Sequence, residues 1–199
     1  MLGLGPRLDR NRTRALVVCV ESDPDARVRA AALGALARRA PKVSARAAWK
    51  RATRDHDPIV RRRAGELAPL LDTRATRSTL VTYVLTLLND DDALVAETAA
   101  FALGELGTPD DGVADALVRT TTEHSDPLVR EAAVAALGAI GDPATLDAVL
   151  SATHDRPAVR RRAVLALAAF DGPEVEAAIS HALTDTDWQV RQAAEDLTG

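Results

Sequence analysis

The residues able to do chemistry are few and scattered. Four histidines, His56, His124, His154 and His181, stand in a chain of 199 residues. The first three fall in turns just ahead of a helical pattern, each followed closely by an acidic residue, where histidine serves as a solvated capping group. Their spacing builds no metal cage, which would need three or four converging ligands. No metal and no cofactor is therefore expected. Cys19 is the single cysteine, which excludes an intramolecular disulfide framework and a multi-cysteine metal site. Set in the apolar run ALVVCV, it reads as a buried small hydrophobe rather than a nucleophile. Trp49 and Trp188 lie near opposite ends of the chain. No catalytic constellation assembles from these residues, and the sequence reads as non-enzymatic.

The elements that would position them are legible in DPLVREAAVAALGAIGDP, residues 126–143. Slid along the chain and aligned on Val129, the segment recurs on Val28, Val60, Val95, Val159 and Val190, at spacings of 32, 35, 34, 30 and 31 residues. Self-similarity at such a period is the mark of a repeat architecture. Three places before the valine stands Asp25, Asp57, Asp92, Asp126 or Asp187, with Arg156 the exception. One place after it stands Arg29, Arg61, Arg130, Arg160 or Arg191, with Ala96 the exception. Four places after it is always alanine: Ala32, Ala64, Ala99, Ala133, Ala163 and Ala194.

Each recurring letter has a physical job. Aspartate caps a helix N-terminus, and in Asp57-Pro58 and Asp126-Pro127 a proline follows at the first helical position. Valine, the alanine at +4 and apolar residues at +7, +8 or +11 form one stripe, as in Val129, Ala133, Leu137 and Ile140. A side chain larger than alanine mid-stripe would push neighbouring helices apart. Aspartate and arginine four apart can pair along the helix or bridge to the next repeat. A second helical segment precedes each of these, at 14–21, 43–53, 79–88, 113–121, 145–152 and 174–183, the first of them short. Turn-rich joints separate the pairs, GTPDDG (107–112), GDP (141–143) and DGP (171–173) among them, with DTRATRS (72–78) the loosest. The fold class expected is all-α, an α-solenoid (α-α superhelix) of about six helix pairs. It forms a single array over 1–199, with repeats at 12–40, 41–73, 74–108, 109–142, 143–172 and 173–199. Aromatics at 3% suit alanine-rich helices better than a sheet.

The pattern D-P-x-V-R-x-x-A-x-x-A-L-G-x-I-G, present as DPLVREAAVAALGAIG, resembles the HEAT repeat, closest to the HEAT-like variety of phycocyanobilin lyase subunits. The resemblance implies that the second helices line a concave face and that the recurring Asp and Arg form ladders between repeats. It implies less about activity, because HEAT arrays serve as adaptors, scaffolds, lyase subunits and some enzymes. Deoxyhypusine hydroxylase, a HEAT-like di-iron enzyme, is marked by His-Glu dipeptides, and this chain has none. HEAT-like alkylpurine DNA glycosylases use aromatics and a carboxylate in a basic groove. Trp49 and Trp188 belong to different repeats, and Trp49 sits on a first helix, expected to face outward.

Charge placement is the informative feature. The total is −4, yet residues 1–77 carry 18 basic and 8 acidic side chains, and residues 78–199 carry 7 and 21. A one-way gradient of that kind steers partners by orientation. With the valine stripe facing the core, positions +2, +6 and +9 of each second helix point into the groove. At +2 these are Ala30, Arg62, Glu97, Glu131, Arg161 and Gln192, and at +6 Gly34, Glu66, Ala102, Ala135, Leu165 and Asp196. Arg38, at +10, lies a little off the axis. Such a groove is mixed in sign, whereas nucleic-acid grooves are uniformly basic with aromatic platforms. The sequence therefore points to a protein-interaction scaffold or adaptor, with Arg38, Arg62, Glu66, Glu97, Glu131 and Arg161 meeting a protein or peptide partner. Nucleic-acid binding through the basic N-terminal repeats is the alternative, and a chromophore lyase-like subunit the third reading. MLGLGPRLDR lacks the apolar core of a signal peptide, and no apolar run reaches the ~20 residues of a membrane span. A soluble, cytoplasmic protein is expected, with no membrane partner.

Overall fold

The computed structural model describes residues 9–107 and 111–199. Expectations that fall on residues 1–8, including most of the N-terminal segment, and on 108–110, where one repeat boundary was placed, lie outside them. Among the described residues there are twelve α-helices and no strand: α1 (Arg10–Ser22), α2 (Ala26–Arg39), α3 (Lys42–Ala52), α4 (Pro58–Leu67), α5 (Arg77–Leu88), α6 (Ala93–Leu106), α7 (Asp111–Glu123), α8 (Pro127–Ile140), α9 (Leu146–Ala152), α10 (Pro157–Ala166), α11 (Pro173–Ala182) and α12 (Trp188–Thr198). Their contacts divide the chain into two compact units, Met1–Ala102 and Leu103–Gly199.

The helix starts follow the cap residues. Asp25, Asp57, Asp92, Asp126 and Asp187 each accept a backbone N–H two residues on, at 2.8–3.0 Å. These bonds satisfy donors that the first turn leaves unpaired. Arg156 makes no such bond, and Pro157 opens α10 instead. The first helix is longer than expected, because Asp9 accepts from the Arg12 N–H at 2.8 Å and starts α1 at Arg10. The joint at 72–78, expected to be loosest, is knit by a 2.7 Å bond between the Thr73 and Thr76 hydroxyls and by an Arg77–Asp72 ion pair.

In the first unit the second helices α2 and α4 pack on one another, as do the first helices α1 and α3. Leu33, Leu36, Val60, Ala64 and Leu71 are wholly buried there. Trp49 corrects one expectation. Far from facing outward, it is 0% exposed and stands edge-on to Tyr83, with ring centroids 5.7 Å apart. Its Nε1–H donates to the Ala64 carbonyl at 2.7 Å. That acceptor is open because the end of α4 tightens toward a 3-10 turn, with the Ala68 N–H turned to Gly65 at 3.1 Å. Val28 corrects another. It is 41% exposed, and Ala31 beside it is exposed too, because no second helix precedes α2 among the described residues to cover these positions. Cys19 is half-buried, not wholly inside.

In the second unit α8, α10 and α12 stack in sequence, with α7 and α9 stacked alongside. Val129, Val159, Ala133, Ala163 and Ala194 are fully buried and Val190 is 1% exposed, which fixes the stripe as expected. Ala133→Leu should therefore overpack the junction and destabilise the protein by ~1–3 kcal/mol. Ala135→Leu, on the half-buried groove side, should change stability by no more than ~0.5 kcal/mol. Thermal melts showing equal losses for the two would contradict this orientation.

Candidate functional site

Within each unit, largely buried ion pairs join the turns before successive second helices, as rungs of a ladder. Arg29 reaches Asp55 with two bonds of 2.7 and 2.9 Å. Arg61 reaches Asp90 at 2.7 and 2.8 Å, Arg130 reaches Asp155 at 2.6 and 2.7 Å, and Arg160 reaches Asp185 at 2.7 and 2.9 Å. The acceptor is not the capping aspartate. At Asp55, Asp90 and Asp185 it is the earlier acid of an Asp-x-Asp turn, whose second carboxylate is committed to the helix N-terminus, whereas Asp155 is followed by Arg156 and Pro157. Each arginine also donates from Nη1 to turn carbonyls of its own repeat, such as Asp23 at 2.9 Å and His124 at 2.7 Å. Two positions lack the ladder chemistry: Ala96 stands where the arginine would, and His124 where the acid would. His124 keeps the turn, its Nδ1 accepting the Asp126 N–H at 3.1 Å.

The pairs shift their acids in one direction. Burial raises Asp55 and Asp90, but the hydrogen bonds from Arg29 and Arg61 and from a backbone N–H outweigh it, so both carboxyls sit below their ordinary value. For Asp155 and Asp185 the arginine bond dominates and lowers them. Such bidentate, charge-assisted bonds hold turns in place. The ladder is structural, and its donors and acceptors are already mutually satisfied.

The residues expected to meet a partner fall into two sets. In the first unit, Glu66 joins Arg62 at 3.4 Å and Arg63 at 2.5 Å. Arg38 extends from α2 toward the same place, its Nη2 lying 3.2 Å from the point a Cβ on Gly34 would occupy. Arg63, absent from the expected set, comes closer still, its Nη2 2.7 Å from that point. The signal that could have found it is Gly34 itself, a bare stretch of helix backbone on the preceding repeat. Glu97 is half-buried on α6. Ala30, Gly34 and Ala102 are buried, so those groove positions belong to packing.

In the second unit, Glu131 pairs with Arg162 at 3.4 Å rather than with Arg161. Arg161 makes no hydrogen bond or ion pair among the described residues and lines a depression of about 220 Å³ with Leu165, Trp188, Gln189, Gln192 and Asp196. Trp188 is 63% exposed. Leu165 also lines an adjoining depression of about 300 Å³, walled by Ala135, Gly138 and Ala139 of α8 and by Arg162 and Ala169. The two form one shallow groove over α8, α10 and α12. Of the +9 positions, Gly138 and Ala168 line it as expected, yet Gly138, like Gly104, also lies hard against the next second helix. A Cβ on Gly104 would sit 2.9 Å from the Ala136 Cα, and one on Gly138 2.8 Å from the Ala166 Cα. These glycines are the seam where successive second helices touch.

A third depression, of about 310 Å³, lies on the first helices between α3 and α5, walled by Val43, Ala47, Trp49, Lys50 and Leu80. It had no counterpart in the sequence reading. His56 lies beside the Arg29 rung, its Nε2 3.3 Å from the Arg29 Nη2 and its Nδ1 3.4 Å from the Asp55 carboxylate, and His154 and His181 have ring centroids 6.4 Å apart. Among the described residues no three His, Cys, Asp or Glu side chains could hold a metal ion, and no helix is long and apolar enough to cross a membrane.

Paired helices with buried Asp–Arg rungs at a period of about 33 residues define the class of α-solenoid repeat proteins. The sequence profile of HEAT repeats matches residues 81–157 and 149–196, and the chain belongs to that family. No curated protein sequence matches it significantly. Among solved structures it is similar to YibA of Escherichia coli, at 19% identity and a TM-score of 0.71, over 94% of this chain and 68% of that one. It is also similar to the complex of CpcE and CpcF of phycocyanin lyase from Nostoc sp., at 22% identity and a TM-score of 0.65, over 98% of this chain and 77% of that one. A designed armadillo repeat protein in complex with the peptide (KR)4 matches at 16% identity and a TM-score of 0.63, over 92% and 97% of the two chains. At these identities the likeness establishes the fold.

Proposed function

We propose that the chain is a non-enzymatic scaffold that binds a protein or peptide segment on the second-helix faces of its repeats. One observation carries the reading: the groove of the second unit sets a 63% exposed tryptophan, Trp188, beside Leu165 and the unpartnered Arg161. An exposed tryptophan next to arginine is the composition of an interface anchor. Small side chains at Ala135, Gly138 and Ala139 leave room for a chain to lie along the groove. The designed armadillo neighbour holds a basic peptide. Here the free cation, Arg161, favours a segment with a large apolar side chain flanked by an acid. In the first unit Arg38, Arg62 and Glu66 offer a second contact of net positive charge, and Glu97 and Glu131 complete the set proposed to face partners.

The test is selection from a random peptide display library. Binders should converge on an apolar residue with a neighbouring Asp or Glu, and affinity should fall ~tenfold or more for Trp188→Ala, in the range of an interface anchor. Arg161→Glu should weaken binding further and flatten its salt dependence. Both variants should keep the wild-type melting temperature. Failure to enrich any peptide, or enriched peptides indifferent to both substitutions, would refute the reading. Tight, salt-steep binding of generic duplex DNA by the same protein would favour the nucleic-acid alternative instead.

A further inference from the structure

We propose that α2 and α4 build an oxyanion site, in which the guanidinium groups of Arg38 and Arg63, meeting above Gly34, hold a phosphoryl group carried on a polypeptide. The geometry starts with a missing side chain. Both Nη2 atoms lie within 3.2 Å of the point a Cβ on Gly34 would fill, so two cations converge on one patch of bare backbone. Left alone they repel one another, and an ordinary surface would splay them apart. Glu66 compensates only in part. Its two oxygens are taken by Arg62 and Arg63, while Arg38 has no carboxylate or other hydrogen-bond partner among the described residues.

Charge selects the ligand class. Three arginines and one glutamate leave a net charge of +2 at the cluster. A phosphomonoester carries about −1.5 to −2 at neutral pH and offers three acceptor oxygens, whereas a single carboxylate would leave one cation unmatched. Paired guanidinium groups also present their N–H donors in the planar fork that binds phosphate in two-point fashion. Arg63 is partly shielded, its side chain 29% exposed, and Arg38 is exposed, so one donor is held in place while the other can close over an incoming group. Arg62 and Glu66 on α4 and Arg39, next to Arg38 on α2, are further charges on the same turns of these two helices. The inference takes from the preceding reading only that the ligand is a polypeptide; anion capture itself is measurable without it.

The experiment titrates the full-length protein with inorganic phosphate at constant ionic strength, chloride making up the balance, while following the arginine Nε–Hε signals by NMR. Saturable shifts at Arg38 and Arg63 are expected. Arg38→Gln and Arg63→Gln should each weaken phosphate ~tenfold, as loss of a charge-assisted fork requires. Gly34→Ala places a methyl group where the Arg63 guanidinium sits and should weaken phosphate comparably without lowering the melting temperature, which separates loss of the site from loss of the fold. Arg27→Gln is the control. It removes the same charge from α2, but Arg27 is 81% exposed and tied to its own cap Asp25, so phosphate affinity should hold. A phosphoserine peptide should then bind more tightly than the same peptide with glutamate. The proposal fails if the wild type shows no saturable phosphate binding, if Arg27→Gln weakens it as much as Arg38→Gln does, or if the glutamate peptide binds equally well. Failure here would leave the Trp188 peptide selection untouched, because that groove shares no residue with this cluster.

Discussion

Arg29→Ala should lower the unfolding free energy by about 3 kcal/mol, the cost of stranding a buried carboxylate rather than the net worth of the pair. The side chains of Arg29 and Asp55 are 4% and 10% exposed. Without the guanidinium, Asp55 would lose both of its strongest donors and the turn carbonyls of Asp23 and Pro24 would lose theirs. Arg27→Ala, two residues away and exposed, should cost less than ~0.5 kcal/mol. The ladder also dictates the response to pH. The acids of the rungs have folded pKa values below their ordinary ones, so the unfolded chain binds more protons in acid. Their stabilisation is thus fully present above about pH 5 and is lost as pH falls through the folded values. The arginines are shifted upward. Their contribution is complete below the ordinary arginine value and fades only above it, outside any working range. Urea melts at pH 7, 5 and 3 should show stability nearly level between the first two and falling at the third. A variant with Arg29→Ala and Asp55→Ala together should fall less. An unchanged acid response in that double variant would remove the ladder as its source.

The helix pairs were legible because their signals are local. A capping aspartate, a following proline and a valine–alanine stripe each act within a turn or two of helix, and the period repeats them six times over. The ladder was legible only in part. Asp57 stands four residues before Arg61, which reads as a pair along one helix, yet Asp57 spends its carboxylate on the Ile59 N–H and Arg61 reaches Asp90. Nothing in local spacing distinguishes the two acids of Asp-x-Asp; the packing of neighbouring repeats does. Trp49 departs from its expected outward place for the same reason. Trp49 lies on a first helix but turns inward because the tightened end of α4 leaves a carbonyl that its Nε1–H can meet. Trp188 opens α12 at a position that no neighbouring helix covers. In the candidate site, Arg62, Glu66 and Arg161 could be placed from helical angle alone. Arg63 could not, since its position depends on how closely α4 approaches Gly34.

The same substitution at two glycines should have opposite signs. Gly34→Ala gains the better helix former in mid-helix, worth ~0.5–1 kcal/mol, and the atom in its way is the far end of the flexible Arg63 side chain. Stability should rise or hold. Gly138→Ala gains the same propensity and loses far more. Its Cβ would lie 2.6 Å from the Ala166 Cβ and 2.8 Å from the Ala166 Cα, so backbone must separate from backbone along α8 and α10. Overpacking at a seam that cannot yield by a rotamer change should cost about 3 kcal/mol. Ala166→Gly should recover part of that loss in the double variant and none in isolation, a coupling that a double-mutant cycle reads directly. Chemical denaturation of the four proteins decides it, and a Gly138→Ala variant as stable as Gly34→Ala would mean that α8 and α10 stand further apart than this seam requires. The consequence reaches the groove as well. Gly138, Ala139 and Leu165 form its floor, and the close approach at Gly138 fixes how far Leu165 and Arg161 of α10 stand from α8. A substitution that parts the helices should therefore weaken peptide binding even though it touches no atom of the peptide.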